Sequence, residues 1–100
     1  MTAIRLTSSL VPAVRTGKKQ TTIRLGHRPY IPGPGLLVTC EHEIRIEILD
    51  VIHTQVDRLT PDDAIADGYR DLSDLRTALD GFYPGMDEAA AVTVVRFRLA

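Results

Sequence analysis

Apolar residues recur along this chain with two periods, and each change of period marks an element. Ile4-Arg5-Leu6 alternates as a short strand does. Behind it Leu10, Val11 and Val14 fall at helical spacing, with Ser8 or Ser9 as the cap, Pro12 in the first turn and Gly17 placed to end the helix. Gln20 to Leu25, rich in Thr21, Thr22 and Ile23, predicts a strand entered directly from Lys18-Lys19. His27 to Gly35 holds three prolines and two glycines and reads as loop, and Leu36 to Cys40 reads as a short buried strand. Glu43 to Val56 is the longest strand signal. Ile44, Ile46 and Ile48 point one way and Arg45 and Glu47 the other, after which the apolar phase moves to Val51 and His53, as a β-bulge near Leu49-Asp50 would make it do.

The second half changes character. Thr60-Pro61-Asp62-Asp63 combines an N-cap threonine, proline at the first helical position and acids in the first turn, and Gly68 closes the helix it starts. Asp71 or Ser73 opens another, striped by Leu72, Leu75, Leu79 and Phe82 and stopped by Tyr83-Pro84-Gly85. Val92 to Leu99 predicts a closing strand, with Val95, Phe97 and Leu99 on one face and Arg96 and Arg98 on the other. Grouped helices among strands indicate an α+β fold rather than a doubly wound sheet, and four to six short strands favour a small mixed β-barrel with helices against one side.

One hundred residues fit one domain, 1–100, and 44% hydrophobic with 25% charged residues is ordinary globular composition. No apolar run approaches the ~20 residues of a membrane helix. The start lacks the pattern of a signal peptide, and a single cysteine, Cys40, excludes an internal disulfide, so the expectation is a cytoplasmic protein without a membrane.

The net charge of −1 conceals an asymmetry: residues 1–40 carry six basic side chains and no acid, whereas residues 41–100 carry six bases and thirteen acids. Either the basic half meets phosphates or nucleic acid, or the two halves neutralise one another in the fold. Gly17 to Arg24 (GKKQTTIR) is the densest candidate for chemistry. Period two puts Gln20, Thr22 and Arg24 on one strand face, and Lys19 can curl toward it from the preceding loop. Such a face binds phosphate or carboxylate, with Thr22 as hydrogen-bond partner or nucleophile; the alternative is a charged, solvated hairpin edge. No phosphate-loop pattern is present.

Other constellations are weaker. Cys40-x-His42 lacks a second pair of ligands, no H-E-x-x-H occurs, and His53 reads as a hydrogen-bonded core histidine, so no metal or other cofactor is expected. Asp62 and Asp63 compensate a helix dipole, but Asp67 falls at the helix end, where a negative charge is unfavourable.

Together these segments resemble the ASCH family, whose domains share a PUA-like β-barrel. The resemblance runs from Gly17–Arg24 through Leu59-Thr60, Ala64, Asp67-Gly68-Tyr69 and the leucine-bearing helix to Tyr83-Pro84-Gly85 and the last strand. It implies a PUA-like barrel with the 60–68 and 73–83 helices beside a cleft floored by Lys19 to Arg24. The family includes RNA-binding modules, a ribonuclease and a small amidohydrolase that removes the acetyl group of N4-acetylcytidine with a lysine, a threonine and a glutamate. Motif by motif these fall on Lys19, Thr22 and Asp67, the last one methylene shorter than glutamate, and the signature arginine falls on Arg24. The family's usual Gly-Asp turn is here Gly33-Pro34-Gly35.

The functional expectation is a module that binds RNA, other single-stranded nucleic acid or nucleosides, with Arg5, Lys18, Arg24, Arg28 and Tyr30 as contacts. The alternatives are a metal-independent amidohydrolase, with Lys19 as base, Thr22 as nucleophile and Asp67 as acid, or a ribonuclease.

Overall fold

Alternation and the two capped segments build five strands and three helices in the computed structural model, which describes residues 1–100. In chain order these are β1 (Thr2–Arg5), α1 (Val11–Arg15), β2 (Thr21–Leu25), β3 (Gly33–Val38), β4 (Glu43–Gln55), α2 (Pro61–Ala66), α3 (Leu72–Phe82) and β5 (Ala91–Leu99). A turn of 3-10 helix precedes α1 at Ser8–Leu10 and another follows β4 at Val56–Arg58. The strands form one sheet in the order β1-β3-β4-β5-β2, with β1 parallel to β3 and every other pair antiparallel. The sheet curls into a half-barrel, the expected α+β PUA-like architecture, and leaves β1 and β2 as its two unjoined edges.

Register explains the core. The β4–β5 ladder slips between Ile48 and Asp50, the bulge that the phase change predicted. Successive residues of β5 face opposite ways, so Val95 and Phe97 join one buried cluster while Val92 and Val94 join another. The first cluster unites Ile4, Leu37, Ile44, Ile46 and Ile48 with Val11 and Val14 around α1; the second unites Ile23 with Ala64 of α2 and Leu75 and Leu79 of α3. Helices therefore pack on both clusters, and only α2 and α3 share a side.

Several local expectations need correction. β3 begins at Gly33 rather than Leu36 and ends at Val38. Pro34 is tolerated because it lies before Gly35, where β1 joins, so that β3 is still an edge strand there. Gly35 fits because a Cβ at this position would lie 3.0 Å from the Ile48 side chain and 3.1 Å from the Thr2 carbonyl. Neither Ser8 nor Ser9 caps α1, whose N-cap is Leu10. Leu99 and Phe82 are exposed, and so is His53, which is no core residue. His53 stacks on His27 with ring centroids 4.8 Å apart, and its Nε2 donates to the Arg28 carbonyl while that of His27 donates to the Thr54 carbonyl. The proline-rich loop is thereby tied to the far end of β4.

Candidate functional site

The segment Gly17–Arg24 runs from the end of α1 along the free edge of the sheet. Gly17 takes a left-handed turn (φ +80°), and the Lys19 amide then donates to the Ala13 carbonyl and the Gln20 amide to that of Ala66, joining the ends of α1 and α2. Gly68, also left-handed at φ +94°, completes the junction, because a Cβ there would stand 3.4 Å from that of Lys19. This packing buries Lys19 to 4% exposure and Asp67 to 6%.

The Lys19 ammonium donates to Asp67 Oδ1 at 2.9 Å and to the Asp67 backbone carbonyl at 3.3 Å. The Thr21 hydroxyl donates to the same Oδ1 at 2.9 Å, while Oδ2 accepts no hydrogen bond from the protein. Burial pulls the Lys19 pKa below its ordinary value, against the opposing pull of Asp67 and with a smaller contribution from Arg24. Burial also raises the Asp67 pKa, opposed by Lys19, Thr21 and Arg24. Each charge is thus held mainly by the other.

Thr22 and Arg24 share a strand face, as expected. Arg24 Nη1 donates to Thr22 Oγ1 at 2.6 Å and to the Ile23 carbonyl at 2.8 Å, and Nη2 donates to the Arg5 carbonyl. The last bond crosses from β2 to β1, so one guanidinium spans the gap that the backbone ladder leaves open.

That gap opens into a cavity of about 370 Å³. Lys19, Thr22, Arg24 and Asp67 line it from the β2 and α2 side, Arg5 from β1, and Leu75, Leu79, Phe82 and Tyr83 from α3 and its end. Phe82 is 53% exposed although it is aromatic and lines this cavity. Five of the predicted residues therefore meet: Arg5, Lys19, Thr22, Arg24 and Asp67. Three do not. Lys18 is exposed beside a second depression with Asp62 and Ile65; Arg28 is an exposed loop residue whose Nε donates to the Leu25 carbonyl; Tyr30 is half-buried against the first hydrophobic cluster. Gln20 turns away to the Gly17 carbonyl. Sequence reasoning missed Thr21, which period two assigns to the opposite face from Thr22; the available signal was a hydroxyl in a strand too apolar to leave it solvated. No cluster of three or more His, Cys, Asp or Glu side chains is placed to hold a metal ion.

An ASCH domain from Lactobacillus crispatus JV V101 superposes with a TM-score of 0.82 over 98% of this chain and 79% of its own, at 13% identity. The fold is that of an ASCH domain. The hypothetical protein PH0355 matches with a TM-score of 0.76 over 98% of this chain and 97% of its own at 11% identity. The protein EF3133 from Enterococcus faecalis V583 gives 0.69 over 92% and 67% at 13% identity. No protein-family model and no curated protein matches the sequence. The fold is thus shared by chains of very different sequence, and no helix in this one is long and apolar enough to cross a membrane.

Proposed function

We propose that this ASCH-fold module, residues 1–100 acting as one domain in the cytoplasm, binds a nucleoside or an unstacked nucleotide of single-stranded RNA or DNA in the cavity between β2 and α3. The composition of that cavity carries the reading. A polar, cationic floor of Lys19, Thr22 and Arg24 faces an apolar wall that includes Phe82 and Tyr83. A base is planar and apolar on its faces and polar at its edge, and this pair of surfaces complements it. The volume of about 370 Å³ is at the small end of ligand pockets, which run from about 300 to 1,000 Å³, and suits one nucleoside unit rather than a run of bases. Lys18 and Arg28, outside the cavity, serve the backbone of a longer strand, so affinity for a strand falls with salt.

A specific observation favours a second reading, amide hydrolysis on an acylated nucleoside. Lys19, with its lowered pKa, and Asp67 share one cavity with a Thr22 hydroxyl that accepts a 2.6 Å hydrogen bond from Arg24. In this reading neutral Lys19 takes the proton of Thr22, whose oxygen adds to the acyl carbon while Arg24 stabilises its negative charge. Asp67 in its protonated form gives a proton to the departing amine; water then adds its oxygen to the acyl-threonine ester and gives a proton to Asp67, while the Lys19 ammonium returns its proton to the departing Thr22 oxygen and the acid is released.

One experiment separates the two. Purified protein is mixed with N4-acetylcytidine, cytidine release is followed by chromatography, and binding of cytidine is measured in parallel by calorimetry. Binding that is weakened by Phe82→Ala, with no cytidine release, supports the binding module. Turnover abolished by Lys19→Ala and by Thr22→Ala, and raised by Asp67→Glu, supports the hydrolase. Neither binding nor turnover refutes both.

A further inference from the structure

We propose that the mouth of this cavity seats a phosphate monoester between Arg5 and Arg24, so that its ligand is a nucleotide rather than a neutral nucleoside. The inference rests on the nucleoside reading of the cavity and narrows it to an anionic ligand class. Arg5, Lys19 and Arg24 stand against Asp67 alone, and Asp67 is already matched by Lys19 at 2.9 Å. An ammonium and a carboxylate in contact cancel each other's charge. Two guanidiniums are left over, and neither takes part in any of the four ion pairs of the chain.

These two guanidiniums are differently prepared. That of Arg24 is clamped by three neutral acceptors, Thr22 Oγ1 and the carbonyls of Ile23 and Arg5, which fix its position without compensating its charge. That of Arg5 donates no hydrogen bond within the protein and sits exposed at the rim. One residue is therefore a fixed cation and the other a free one, and the hydrogen bond from Arg24 to the backbone of Arg5 makes them neighbours across the open edge. Guanidinium forks match phosphate oxygens in charge and in geometry. A phosphate monoester, at roughly −1.5 to −2 near neutral pH, cancels the surplus of two, whereas a phosphodiester or a carboxylate supplies only one negative charge. The monoester has two sources: a free mononucleotide, or the phosphorylated end of a single strand.

Calorimetry at low salt with cytidine, cytidine 5′-monophosphate, inorganic phosphate, and a short single strand with and without a 5′-phosphate tests the seat. The monophosphate is expected to bind about 10- to 100-fold tighter than cytidine, the range of one charge-assisted hydrogen bond or slightly more. Arg5→Gln keeps the backbone carbonyl that holds Arg24, removes only the free cation and cancels the preference. Arg5→Lys restores part of it, and Arg45→Gln, an exposed cation on β4, leaves it unchanged. A strand that gains affinity from its 5′-phosphate beyond that of the mononucleotide identifies the strand end as the source; a mononucleotide that binds at least as well identifies the free nucleotide. Equal affinity for cytidine and its monophosphate overturns the phosphate seat and leaves the nucleoside reading standing. Phosphate binding that depends on Arg5, with no gain from the nucleoside part, keeps the seat and overturns the nucleoside reading.

Discussion

Breaking the Lys19–Asp67 pair one partner at a time should cost far more than removing both. Each side chain is almost fully buried, the ammonium and carboxylate are 2.9 Å apart, and the only other side-chain donor to the carboxylate is Thr21. Removing one partner of a buried pair costs about 3–5 kcal/mol, because the other charge is left without compensation. Lys19→Met and Asp67→Val should each fall near the low end, about 3 kcal/mol at pH 7. The surviving lysine can lose its proton and the surviving aspartate can gain one, as the pKa directions indicate. At about 4–8 °C per kcal/mol for a domain of this size, each loss lowers Tm by some 12–24 °C. The double variant exchanges two charges for apolar groups of comparable bulk, a change that is often neutral or stabilising. Its stability should lie within about 1 kcal/mol of the parent, far from the ~6 kcal/mol of two independent losses. Urea unfolding followed by circular dichroism gives all four free energies and closes the cycle. Singles that cost under about 1 kcal/mol, or a double variant that costs their sum, would refute the reasoning that these charges are buried and coupled. A stable double variant that no longer binds nucleoside would show a pair kept for its ligand rather than for the fold.

Three further outcomes are expected. Phe82→Ala should leave stability nearly unchanged, since the ring is half exposed, yet weaken nucleoside binding by about 1–3 kcal/mol through lost stacking; an unaltered Kd removes Phe82 from the site. Gly35→Ala should destabilise by about 1–3 kcal/mol in urea, because the new methyl meets the Thr2 carbonyl and Ile48 at the junction of three strands; a neutral result means that β1 can shift. The third concerns pH. Folding lowers the Lys19 pKa, so between that lowered value and the ordinary 10.5 the folded state has released a proton that the unfolded chain still binds, and stability rises with pH across this window. The parent should therefore gain on Lys19→Met as pH is raised from neutral toward 10.5; a flat or falling difference contradicts the burial of the ammonium.

Much of the fold was legible because its signals are local. The Thr60–Asp63 capping box is closed in both directions, with the Asp63 amide donating to Thr60 Oγ1 and the Thr60 amide donating to Asp63 Oδ2. The bulge in β4 sits where the apolar phase slipped. What escaped local reading depends on neighbours in the sheet. Gly33-Pro34-Gly35 has the composition of a turn, yet close packing by Ile48 and Thr2 makes it strand. Val92 to Val95 are all buried because β5 lies between β4 and β2 with hydrophobic clusters on both faces, which no alternation along β5 itself reveals.

The site was legible in its residue types and hidden in its wiring. An acid at position 67 contradicts the helix dipole, since it adds negative charge where the carbonyl ends of α2 already concentrate it. The contradiction disappears once Lys19 arrives from 48 residues away, because one ammonium serves both the Asp67 carboxylate and the Asp67 carbonyl, supplying the positive charge that the helix end lacks. Thr21 takes part from the strand face that period two assigned elsewhere, which is possible because β2 is an edge strand and α2 ends against it. The shorter side chain of aspartate is sufficient here because lysine and threonine both reach it at 2.9 Å. Both contacts converge on Oδ1 and leave Oδ2 without a protein donor, so the carboxylate that looked misplaced along the chain keeps one oxygen free at the cavity it lines.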